Sequence, residues 1–92
     1  MSETPQEAPR IEFPCEDYPI KVIGDAVEGF RDMVISVMRK FDPTLDIAKV
    51  AVRESSNGRF LTVQVHILAT SEAQLKEIHE ALKETGHVHM VL

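Results

Sequence analysis

Tryptophan is absent from this chain, and tyrosine and cysteine each occur once in 92 residues. The single cysteine, Cys15, excludes an internal disulfide and agrees with a reducing compartment. Aromatics make up only 5% of the residues, and of those only Phe60, at a strand start, is expected outward on the central strands, so the stacking platform by which small sheet domains bind RNA is missing. Positive charge is scarce as well. Ten Lys and Arg face fifteen Asp and Glu, a net charge of −5, so the basic field on which nucleic-acid affinity depends is missing. No apolar run approaches the roughly 18 residues of a membrane span. The start of the chain is acidic and Pro-bearing, unlike a secretory signal or an Arg-rich transit peptide. The expectation is a cytoplasmic protein that binds neither nucleic acid nor membrane.

The acidity is unevenly placed. Glu3, Glu7, Glu12, Glu16 and Asp17 stand against Arg10 near the start, while the remainder is almost balanced. With Pro5, Pro9 and little to bury, residues 1–13 read as a disordered acidic tail, and 14–92 as one domain.

Within that domain the apolar pattern changes period in an ordered way. Ile20 and Val22 sit in an alternating strand from Tyr18 to Gly24. Asp25, with Glu28 three residues on, has the spacing of a capped helix start. Ala26, Val27, Phe30, Met33, Val34, Val37, Met38 and Phe41 then follow at helical spacing until Asp42-Pro43 stops the helix. Gly29 is mildly costly so early in a helix. A second strand spans about Ala48 to Glu54, and Asn57-Gly58 supplies residues that tolerate the positive φ of a tight turn. Leu61, Val63, Val65, Ile67 and Ala69 alternate along a third strand, Phe60 to Ala69. Ser71 and Gln74 form a capping-box pattern for a second helix, Glu72 to Glu84, which Gly86 closes. His87 to Leu92 reads as a last strand, with Val88, Met90 and Leu92 inward and His87, His89 and Val91 outward.

This order, βαββαβ, predicts an α+β ferredoxin-like sandwich: a four-stranded antiparallel sheet with both helices on one face. The other face then carries Lys21, Ile23, Thr62, Gln64 and His66, a semi-polar surface suited to a protein partner, a homodimer included.

Chemistry-bearing patterns are few. No Walker loop, His-Glu-x-x-His or nucleophile elbow occurs, and Cys15 has no neighbouring cation to activate it. His66, His87 and His89 share the open face, but His66 is expected two strands away from the others with Lys21 between, so solvated histidines are preferred over a metal site. No cofactor is expected. The stretch Gly24-Asp25-Ala26-Val27-Glu28-Gly29-Phe30-Arg31 joins a glycine, a helix start and an arginine, which makes Gly24, Asp25 and Arg31 the candidate ligand-binding residues. It loosely resembles the phosphate cradle of acylphosphatases, one residue short and with two acids where a phosphate should sit.

Phe13-Pro14, Tyr18-Pro-Ile-Lys-Val-Ile-Gly24, Ser55-Ser-Asn-Gly58, Ala69-Thr70 and Val88-His-Met-Val-Leu92 together resemble the YbeD-like family of small bacterial proteins. Residues 1–12 depart from the compact pattern of that family. The resemblance implies a fold similar to ACT-type regulatory domains and supplies no catalytic residue. A non-enzymatic regulatory or adaptor domain, acting on a protein partner or a small-molecule effector, is the expected function. The alternative is a small acylphosphatase-like hydrolase with Arg31 as anion binder.

Overall fold

Backbone groups buried on folding must pair, and this chain pairs them in one sheet. A computed structural model describes residues 12–92, so the expected tail lies largely outside the described residues. Strand β1 (Cys15–Asp25) is followed by helix α1 (Phe30–Phe41), a 3-10 turn (Ile47–Lys49) and strand β2 (Ala51–Glu54). Strand β3 (Phe60–Ala69), helix α2 (Glu72–Glu84) and strand β4 (Val88–Val91) complete the chain. The four strands lie in the order β2-β3-β1-β4, all neighbours antiparallel. The expected βαββαβ sandwich is the observed one.

The core follows from the alternation in β1 and β3 and the apolar stripes of the helices. Ile20, Val22, Val63, Val65 and Ile67 meet Phe30, Val34, Met38, Ile78 and Leu82, all of them buried. Ile35 and Leu45 join this core, although neither stood out in the sequence pattern. Helix α2 begins as expected: Ser71 Oγ accepts the Gln74 N–H at 3.1 Å. Gln74 Oε1 in turn accepts from Thr70 N at 2.9 Å, one residue earlier than a standard capping box. Gly86, at φ 85°, ends the helix.

Four local expectations need correction. Helix α1 does not start at Asp25. The Asp25 N–H is bonded to the His87 carbonyl and the Ala26 N–H to the Arg59 carbonyl, so both residues stay tied to the sheet. The chain turns into the helix only at Gly29, whose φ of 84° is a conformation that glycine enters at little cost. That requirement accounts for Gly29, and it leaves Val27 exposed rather than on the apolar stripe.

Strand β4 carries a register shift against β1 between Ile23 and Gly24, so Met90 pairs with Ile23 and Val91 with Val22. Val91 therefore packs on the core, while Met90 and Leu92 are 49% and 63% exposed. At the hairpin, only Gly58 takes positive φ (73°). Asn57 contributes its side chain instead, accepting the Arg59 N–H at 3.1 Å.

Strand β2 is shorter than expected because Asp46 caps the 3-10 turn, accepting the Ala48 N–H at 3.0 Å. Its pairing with β3 therefore covers only Leu61 to Gln64. Beyond that point Asp42, which is only 6% exposed, reaches the edge of β3 and accepts the Leu68 N–H at 2.9 Å.

Candidate functional site

Strand order alone brings the end of β1 beside the beginning of β4, and there the side chains interlock. Asp25 Oδ1 lies 2.6 Å from His89 Nε2, and Asp25 Oδ2 lies 3.3 Å from His87 Nδ1. The Phe60 ring meets the His89 ring edge-on, with centroids 5.4 Å apart. Hydrogen bonds from His89 and then His87 hold the Asp25 carboxyl below the usual carboxylate range, against a small opposing effect of burial. The sequence placed Asp25 at a helix cap and the histidines in solvent; the structure makes them one cluster. Its signal was the topology, since an antiparallel β1–β4 neighbour pair sets residues 25 and 87–89 side by side.

Each imidazole of this cluster turns one nitrogen to the same carboxylate. The second nitrogen of each ring lies across the ring and points away from it, a poor arrangement for a shared metal ion. Among the described residues, no three His, Cys, Asp or Glu side chains group to hold a metal.

The other candidates are dispersed. Gly24 is buried, and a Cβ there would overlap the His87 carbonyl oxygen and the Phe30 ring, so close packing is what this glycine provides. Arg31 pairs with Asp32 at 3.2 Å on the first turn of α1. Of the three expected ligand residues, Gly24 and Asp25 adjoin, while Arg31 points its guanidinium to its own neighbour. Cys15 is half-buried at the start of β1.

The open face, in contrast, gathers the expected surface residues. Register aligns Arg53, Thr62, Ile23 and Met90 in one row across all four strands. The adjoining row holds Ala51, Gln64 and Lys21, with Leu92 bonded to Lys21 through the backbone. A shallow cavity of 240 Å³ opens between Lys21, Arg53, Thr62 and Gln64. His66 stands opposite Pro19 rather than Lys21, and its buried Nδ1 has no hydrogen-bond partner among the described residues. Met90 and Leu92, expected inside, add their apolar surface to this face.

Among the described residues, no helix is long and apolar enough to cross a membrane.

The fold has counterparts among solved structures. Protein HP0495 from H. pylori is similar over 100% of this chain and 98% of its own, with a TM-score of 0.72 and 18% identity. The ACT domain from GTP pyrophosphokinase of Chlorobium tepidum matches 80% of this chain and 91% of its own, with a TM-score of 0.61 and 18% identity. In sequence, a UPF0250 protein of Azotobacter vinelandii is 58% identical over 92 residues, covering the whole of both chains. A UPF0250 protein of Pseudomonas aeruginosa is 57% identical over 93 residues, again covering both chains completely. These relatives span the tail too, so residues 1–12 do not set this chain apart from them. Residues 8–92 match the family described as "Protein of unknown function (DUF493)". The chain therefore belongs to this DUF493/UPF0250 family, the YbeD-like small bacterial proteins with an ACT-like fold.

Proposed function

We propose that this protein is a small non-enzymatic regulatory or adaptor domain that works by binding a partner on the uncovered face of its sheet. One observation carries the reading. A row of register-matched residues crosses all four strands on the face opposite α1 and α2, and its β4 end, Met90, is an exposed large apolar side chain. A partner that covers Met90, Leu92 and Phe60 removes their apolar surface from water.

The experiment is affinity capture from native lysate with the whole chain and with its Met90→Asp variant. The reading expects proteins retained by the parent and released by the variant, with matching circular dichroism spectra. Equal capture by both, or none by either, contradicts it. The hydrolase alternative rests on Arg31, whose guanidinium is engaged by Asp32. Acyl-phosphate hydrolysis above background, lost in Arg31→Ala, would restore it.

A further inference from the structure

The open face is unlike the rest of this acidic protein. Its outward positions carry two cations, Lys21 and Arg53, and neither forms an ion pair with a carboxylate among the described residues. Both line the same 240 Å³ cavity, with the Thr62 hydroxyl and the Gln64 amide between them. On β1, Asp25 is already held by His87 and His89 and Asp17 by Lys49, and Glu16 lies at the far end of the strand. Alongside the cations runs an apolar strip, Ile23, Met90 and Leu92, with Phe60 at its end.

We infer that this face docks an amphipathic helix of a partner protein whose apolar side is flanked by acidic residues. A sheet face is most effectively covered by helices, as α1 and α2 cover the opposite side here. The apolar strip takes the helix's apolar side, and Lys21 and Arg53, which stand on either side of β3, take carboxylates about two turns apart. Charge complementarity selects the partner and steers its approach, while the apolar strip supplies the buried area. The inference rests on the binding reading above and adds the chemistry of the partner.

The test is a selection of displayed random peptides on the purified whole chain, with amide chemical shifts used to map the binders. The expected binders carry Asp and Glu interspersed with apolar residues at helical spacing. Their contacts perturb the amides of Lys21, Ile23, Arg53, Thr62 and Met90. In Lys21→Glu/Arg53→Glu, whose exposed sites leave the fold intact, affinity drops by about tenfold or more, and added salt weakens the parent complex. Binders that are basic or neutral, or that map to the helices or the hairpin, overturn the inference and leave the general binding reading standing. A pool with no enriched binders overturns the inference, and with it the protein-partner part of that reading.

Discussion

His89 Nε2 lies 2.6 Å from Asp25 Oδ1, which joins the unpaired residue at the β4 register shift to the last residue of β1. Both groups are substantially exposed, so the contact tethers an edge strand more than it stabilises the whole fold. Asp25→Asn keeps the shape and removes the charge. Amide exchange at His89 to Val91 is expected to quicken, with the core amides of Val63 and Val65 unchanged. Equal exchange in both proteins would show that backbone pairing alone holds β4.

The same carboxylate gives a pH dependence with a definite sign. The folded state holds Asp25 below its ordinary value, so its contribution is present above the unfolded value of about 3.9 and is lost as pH falls through the lower folded one. The β4 amides are expected to lose protection on acidification through this range in the parent. Asp25→Asn should show no such step. Hydrogen exchange measured at a series of pH values reads both.

Asp42 is the more consequential carboxylate for stability. Burial, the largest single influence on it, pushes its carboxyl up; hydrogen bonds from the Thr44 hydroxyl and from the Leu68 and Thr44 N–H groups together hold it below the usual range. Asp42→Ala strips the Leu68 N–H of its partner at the edge of β3 and removes the cap of the Thr44 turn. A loss of about 1–3 kcal/mol is expected in urea unfolding. Since this carboxyl too is depressed, its contribution fades as pH falls through its folded value.

The glycines separate two kinds of constraint. Gly24→Ala places a methyl against the His87 carbonyl and the Phe30 ring, and backbone at the junction of β1 and β4 must shift. The expected cost is about 1–3 kcal/mol. Gly86→Ala meets no atom within 4 Å, and only its φ of 85° opposes the change, at about 1 kcal/mol. Thermal unfolding of the two variants should preserve that order.

Sequence pattern reaches the fold more fully than the site. Val63, Val65 and Ile67 alternate cleanly, Ser71 and Gly86 bracket α2, and Pro43 stops α1, so each element announces itself locally. Asp25 does not: an aspartate three residues before a glutamate has the spacing of a cap, yet the His87 carbonyl takes its N–H and keeps it in the sheet. Met90 fails for a related reason. Period-two alternation assumes an unbroken ladder, and one register shift sends Met90 outward and Val91 inward. The open face was legible in Lys21, Ile23, Thr62 and Gln64, because their inward neighbours are strongly apolar. The Met90 and Leu92 part of its apolar strip was not, because it depends on that shift.

Oxidative footprinting of Met90 in native lysate, against the purified chain, tests the binding face most directly. Met38 is fully buried and Met90 49% exposed, so the two serve as internal reference and probe. The account predicts that Met90 oxidises readily in the purified protein and is protected in lysate, with Met38 slow in both. Equal oxidation of Met90 in the two conditions would contradict it.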